Sequence, residues 1–220
     1  GSPSSNPGFL VEVLPQGKLA MAATDGTAGT EVWKTDGTGL GTALLQDILA
    51  GSGSANPQSF AVSGSNVFFT ANNGTNGVEL WKMPLTDFND PVPALASMNP
   101  ASATEGGAGF TLTVTGSSFS STTVLRWNGA DRATTIVSAT EATLDITAAD
   151  IAVGGNASIT AFTPAPGGGV SNALTLPVSN LVPTLTGISP TSATAGTSGA
   201  TLSLTGTNFS PNSIARFGST

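Results

Sequence analysis

A chain of 220 residues with 39% hydrophobic and only 9% charged residues has apolar content for one or two domains and a nearly uncharged surface. Its net charge of −7 rests on six Lys and Arg against 13 Asp and Glu, too few cations to neutralise a nucleic acid or grip an anionic membrane. His, Cys and Tyr are absent, which excludes a Ser-His-Asp triad, a thiolate nucleophile, disulfides, and zinc or copper sites with nitrogen or sulfur ligands.

With 28 Gly, 14 Pro and no long Ala/Leu/Glu/Lys stretch, the composition predicts an all-β chain. No apolar run is long enough for a membrane-spanning helix, and residues 1–9 lack the basic and apolar stretches of a signal peptide. Residues 1–8, polar with two prolines, are expected to fray. Strands are then expected near 10–14, 18–23, 30–35, 43–48, 59–62, 66–71 and 78–83. Turns are expected at Asp25-Gly26, Asp36-Gly37, 51–57, Gly64-Ser65 and Asn73-Gly74. The Asp-Gly and Asn-Gly dipeptides predict hairpin turns with positive φ at both positions. Residues 86–92 read as a linker stiffened by Pro91 and Pro93 at its end. From Pro93 a Thr/Ser/Ala/Val alternation sets in, with Leu112 and Val114 on one face and Thr111, Thr113 and Thr115 on the other. Seven strands near 94–98, 109–115, 123–128, 133–137, 142–147, 156–162 and 173–178 predict an antiparallel β-sandwich.

Two internal repeats run through this pattern. Asp25-Gly26-Thr27-Ala28-Gly29-Thr30-Glu31-Val32-Trp33-Lys34 recurs as Asn73-Gly74-Thr75-Asn76-Gly77-Val78-Glu79-Leu80-Trp81-Lys82, an offset of 48. Pro93 to Trp127 is echoed by Pro183 to Phe217, an offset of 90. Repeated modules present surfaces far more often than they carry a single catalytic site.

The run Glu31-Val32-Trp33-Lys34-Thr35-Asp36-Gly37-Thr38, with Gly41-Thr42, Asp47-Ile48 and Gly51-Ser52-Gly53-Ser54, resembles the bacterial ELWxxDGT repeat. The resemblance implies propeller-like blades on secreted proteins. A second copy begins at Glu79-Leu80-Trp81-Lys82 but departs at Met83-Pro84-Leu85, and fewer than two full copies cannot close a ring of blades. Asn99-Pro100, Gly106, Phe110 to Gly116, Phe119, Trp127-Asn128-Gly129 and Gly167-Gly168-Gly169-Val170-Ser171-Asn172 resemble the IPT/TIG immunoglobulin-like family. A further copy opens with Ser189-Pro190, Gly196, Gly206, Phe209 and Arg216-Phe217. The expected organisation is a β repeat region over 1–85, a linker over 86–92, a sandwich over 93–179, and the first three strands of a second such module over 180–220. That half-module leaves Leu202, Leu204, Ile214 and Phe217 partly uncovered, as expected of a fragment of a longer chain.

Carboxylates are the remaining chemistry. Glu31 and Glu79, each two residues before a Trp, invite a glycosidase reading, but their equivalence in the repeat argues for a structural hydrogen-bonding role, and no catalytic residue is assigned. Asp25 and Asp36 fit side-chain-supported turns better than metal ligands. Asp47 belongs to the same set of oxygens. Asp87, Asn89 and Asp90 beside the domain junction are the best-placed oxygens for a calcium ion, although short of a full ligand set. Trp33 and Trp81 are candidates for stacking on a sugar ring, against a packing role between blades. Trp127, matched by Phe217, fits a sandwich core. Gly167 to Gly169 lack the helix and Lys of a phosphate loop and read as a hairpin. Asn156-Ala157-Ser158 and Asn208-Phe209-Ser210 fit the glycan acceptor pattern, a match common by chance in such a composition.

The reading that follows is a non-catalytic segment of a secreted or cell-surface bacterial protein, acting as spacer and adhesion module. A protein or glycan surface ligand is the expected partner, with neither nucleic acid nor membrane insertion. Alternatives are a carbohydrate-binding accessory region of a secreted enzyme, a carboxylate hydrolase, and a filament subunit that self-associates by completing its C-terminal module through strand exchange.

Overall fold

The computed structural model describes residues 5–196, 198–210 and 213–218. The chain is all-β: apart from one 3-10 turn over Leu85–Phe88, every regular element among the described residues is a strand.

Four strands, β1 (Gly8–Val13), β2 (Lys18–Ala23), β3 (Glu31–Thr35) and β4 (Ala43–Gln46), form an antiparallel sheet in chain order. A second sheet, β5 (Gln58–Ser63), β6 (Asn66–Asn72) and β7 (Val78–Pro84), copies the first three. Trp33 stands opposite Met21 as Trp81 stands opposite Phe69, and Glu31 opposite Ala23 as Glu79 opposite Ala71. Both first strands are bulged, between Gly8 and Val11 and between Gln58 and Ala61. The copy has no counterpart of β4, because the chain leaves β7 at Pro84, which lacks an N–H, and turns into the 3-10 segment.

These two sheets, blade 1 and blade 2, stack face to face. Val32 from blade 1 is buried with Ala55, Phe69, Ala71 and Met83, packed by Phe60 and Trp81. Val13 and Ala20 are buried with Val67 and Phe88. Phe88, which lies in the segment read as a linker, is fully enclosed, so that segment is anchored in the blade core. Of residues 1–8, expected to fray, 1–4 lie outside the described residues. The Ser5 carbonyl accepts a hydrogen bond from Thr24 N–H at 3.1 Å.

The Asp-Gly loops are not the tight turns expected. Gly26, Gly37 and Gly74 have positive φ, but Asp25, Asp36 and Asn73 do not. The side-chain Oδ1 of each Asp or Asn instead accepts the N–H two residues ahead, at 2.8 to 3.0 Å, and closes a longer loop. The two-residue turn with positive φ at both positions occurs at Asn128-Gly129, at 50° and 84°.

The next ten strands are β8 (Ala94–Asn99), β9 (Ala103–Thr104), β10 (Phe110–Ser117), β11 (Val124–Trp127), β12 (Ala130–Asp131), β13 (Thr134–Ser138), β14 (Glu141–Ile146), β15 (Gly155–Thr163), β16 (Gly169–Val170) and β17 (Leu174–Ser179). One sheet has the order β13-β14-β10-β8, the other β12-β11-β15-β17-β9. One core joins them: Leu112, Val114, Leu144 and Ile146 from the first sheet pack with Leu125, Trp127, Ile159 and Leu176 from the second. The two-residue strands β9, β12 and β16 carry no periodicity of their own and escape a pattern-based reading.

The 90-residue repeat is equally visible. β18 (Thr184–Ser189) pairs with β19 (Ser203–Thr207) as β8 pairs with β10. A Cβ on Gly116 would lie 2.1 Å from the Ala94 carbonyl oxygen, and one on Gly206 would lie 2.0 Å from that of Thr184, so glycine permits the same close crossing in both copies. Of the three strands expected over 180–220, the described residues form two, and no strand follows β19. In the first copy β11 is held by β15, and the 220 residues contain no second β15. Phe217, the counterpart of buried Trp127, is 97% exposed.

Equivalent positions should therefore respond unequally. Leu112→Ala should destabilise the protein by about 2–5 kcal/mol in urea unfolding, whereas Leu202→Ala, at the matching but exposed position, should cost under about 1 kcal/mol.

Candidate functional site: the junction of blades, linker and sandwich

The charged groups concentrate where blade 1 meets the linker. Lys18 opens β2 with its side chain turned into the fold, 6% exposed, and its Nζ lies 3.0 Å from Asp90 Oδ1 and 3.4 Å from Asp36 Oδ2. Lys34, on the same face of the neighbouring strand β3, donates from Nζ to the carbonyls of Asp87 at 2.9 Å and Asn89 at 3.2 Å. Burial lowers the Lys34 pKa; the charge of Asp90 opposes that, that of Lys18 adds to it, and that of Asp87 opposes it.

Asp36 ties this cluster to the sandwich. Its Oδ1 accepts from Thr38 N–H and Thr38 Oγ1, while its Oδ2 accepts from Ser121 Oγ at 2.9 Å. Burial alone would raise the pKa of the Asp36 carboxyl, but the hydrogen bonds from Thr38 and Ser121 and the charge of Lys18 bring it down to about 2. Asp25, in the preceding loop, is also lowered to about 2, first by the N–H of Ala28 and then by Thr27. From the other side, Gly168 N–H donates to the Asp90 carbonyl at 2.6 Å and Asp90 N–H to the Pro166 carbonyl at 3.4 Å. Gly167 has φ +77°, and a Cβ there would meet the Asp90 carbonyl at 2.4 Å, so the triple-glycine hairpin is the surface on which the linker seats.

Glu31 holds the two blades in register. Fully enclosed, its carboxylate accepts from Ile48 N–H at 2.8 Å and Ala55 N–H at 2.9 Å, the two ends of the segment connecting the blades. Glu79, its repeat partner, is exposed, and the structure does not bring the two carboxylates to one site.

Of the residues singled out for calcium, Asp87 and Asn89 give their backbone carbonyls to Lys34 and Asp90 gives its carboxylate to Lys18. Asn89 Oδ1 is enclosed without a hydrogen-bonding partner. Among the described residues no group of three or more acidic side chains converges in a way that would hold a metal ion. Asp47 Oδ2 accepts from Gly51 N–H. The two tryptophans occupy equivalent places on successive blades. Trp81 packs into the inter-blade cluster and donates from Nε1 to the Ala71 carbonyl at 3.1 Å, whereas Trp33 is half-buried with its Nε1 enclosed and unpartnered.

Lys18 and Ser121 were not among the residues the sequence singled out; Lys34 entered only as part of the repeat and Gly167 only as part of a hairpin. A signal existed for Lys18: it stands in the alternation Lys18-Leu19-Ala20-Met21-Ala22-Ala23, on the face that Ala20 and Ala22 bury, in a chain with only six cations.

No family model matches the chain, and no curated protein matches it. Among solved structures, it is similar to the full extracellular region of plexin A4, domains 1 to 10, at 14% identity and a TM-score of 0.33. The match covers 86% of this chain and 17% of that one; at that score it carries no argument about either fold or function.

Two outcomes follow. Glu31→Ala strands two buried amides and should cost about 3 kcal/mol in urea unfolding, while Glu79→Ala should change stability by under about 0.5 kcal/mol. The Asp36 carboxyl has a lower pKa folded than unfolded, so its contribution is complete above its ordinary value of 3.8 and is lost as pH falls towards about 2. Asp36→Asn should therefore flatten the fall of the urea midpoint across that interval.

Proposed function

We propose that the chain is a non-catalytic spacer and adhesion segment of a secreted or surface-displayed bacterial protein, its N-terminal blades of the ELWxxDGT type and its later modules of the IPT/TIG type. The observation that carries the reading is the interlocked junction. Lys18 joins Asp36 to Asp90, Asp36 accepts from Ser121, and Asp90 is held by the Gly167-Gly168 hairpin. Blade 1, linker and sandwich are thereby fastened at three separate points, the construction a spacer needs to hold a surface at a set distance. The absence of His, Cys and Tyr from the sequence supports the non-catalytic part, because the usual proton carriers and thiol nucleophiles are missing. In this reading ligands meet the loops and outer sheet faces.

The test compares the intact protein with the double variant Lys18→Met/Asp90→Asn. The spacer reading expects a single stiff particle in small-angle scattering for the parent. It expects a broader distribution of dimensions and new protease cleavage within 85–92 for the variant. Equal flexibility in both would remove the basis of the reading. Retention of the intact protein on bacterial or host glycans and proteins tests the adhesion part separately.

A further inference from the structure

An aspartate that precedes proline makes a peptide bond its own side chain can break. The carboxylate closes a five-membered ring on its own carbonyl carbon, and the tertiary amide nitrogen of proline leaves as an amine once it takes a proton. Asp and Pro meet in that order once in the 220 residues, at Asp90-Pro91.

That bond lies in the linker between blade 1 and the sandwich, and both modules hold it. Gly168 N–H donates to the Asp90 carbonyl, the carbonyl of this bond, at 2.6 Å. The donor is thus aimed at the oxygen that gains negative charge when the carbon becomes tetrahedral. It comes so close because Gly167 has no side chain: a Cβ there would stand 2.4 Å from the Asp90 oxygen and 2.6 Å from Asn89 Cβ. From blade 1, Lys18 Nζ lies 3.0 Å from Asp90 Oδ1. Among the described residues, no hydrogen bond or ion pair occupies Oδ2. Nucleophile, carbonyl and donor are therefore gathered on one restrained residue, the arrangement that speeds an intramolecular attack. Pro91 is exposed, so its nitrogen can draw a proton from water. Asp36, Lys34 and Asp87 are the other charged groups of the junction, and residues 163–170 of the hairpin carry none.

We propose that Asp90-Pro91 is a self-cleavage site, a bond that the folded chain cuts without a protease. Asp90 Oδ2 attacks the Asp90 carbonyl carbon while Gly168 N–H stabilises the oxyanion. The C–N bond then breaks as the Pro91 nitrogen takes a proton from solvent. Water opens the cyclic anhydride, leaving Asp90 with two carboxylates and Pro91 with a free amine, one water consumed in all. The pieces 1–90 and 91–220 stay in contact through Asp36 with Ser121 and Asp90 with Gly168, so the cut shows only under denaturing conditions. The inference does not rest on the spacer reading: it needs the linker and the hairpin alone.

Denaturing intact-mass spectrometry follows the purified protein, with protease inhibitors, during incubation at neutral and at mildly acidic pH. Circular dichroism confirms that it stays folded, and the same chain unfolded in urea gives the rate of the bare dipeptide. The expected products are 1–90 and 91–220, whose masses sum to the parent plus one water, formed about tenfold faster in the folded chain than in the unfolded one. Asp90→Glu keeps a carboxylate beside Lys18 but needs a six-membered ring, and Pro91→Ala removes the leaving proline; both should stay uncut while folded. Gly167→Ala, which pushes the hairpin off the carbonyl, should slow the cut towards the unfolded rate. Cleavage no faster in the folded chain overturns the proposal. So does cleavage at the parent rate in folded Asp90→Glu, Pro91→Ala or Gly167→Ala, and so do fragments cut only at another bond.

Discussion

A strand pair in water has two faces, and an apolar one must be covered by another sheet. That constraint governs this chain from end to end. Blade 1 is stable because blade 2 lies on its Val32 face, and the sandwich because two complete sheets close over Leu112 and Trp127. Where the chain supplies no second sheet, the same sequence pattern leaves Leu80 and Phe217 in solvent. Leu80, Leu185, Leu202, Phe209 and Phe217, all exposed, each copy a position that is buried one repeat earlier.

Polar groups do the positioning once burial has chosen the partners. Glu31 sets the register of the blades by holding two amides that no strand could satisfy. Lys18 is different: its ammonium is withdrawn from water and shared between Asp36 and Asp90, and removing either partner would leave a poorly compensated charge. With no disulfide available, this shared ammonium is what couples a loop of one module to the strap leading into the next.

The sequence made the all-β class, the sandwich strands and both repeats legible, because alternation and repetition are local signals. Leu112, Val114 and Trp127 announced their burial. The structural role of Glu31 followed from its recurrence, although the amides it holds did not. Other features depend on distant partners. Lys18 reads as a surface lysine until blade 1 and the linker are placed together, and Phe88 reads as linker until the blade core is seen to enclose it. The segment 214–217 has the pattern of a strand and fails to become one for want of a neighbour. The Asp-Gly loops were misjudged as tight hairpins because the dipeptide does not reveal whether the carboxylate will close a longer loop by itself.

Those self-closing loops bear on how long the molecule lasts. An Asn-Gly dipeptide ages when the glycine nitrogen attacks the asparagine side-chain carbonyl and forms a cyclic imide. At Asn73-Gly74 the glycine N–H is given to Asn72 Oδ1 at 2.7 Å, and the Asn73 carbonyl oxygen accepts from Thr75 and Asn76 at 3.0 Å. The amides on the Asn73 oxygen polarise its carbonyl, but the nitrogen that must attack has its proton engaged by Asn72. The ring can close only after that bond is broken, and the loop's own hydrogen bond opposes the step that frees the nucleophile.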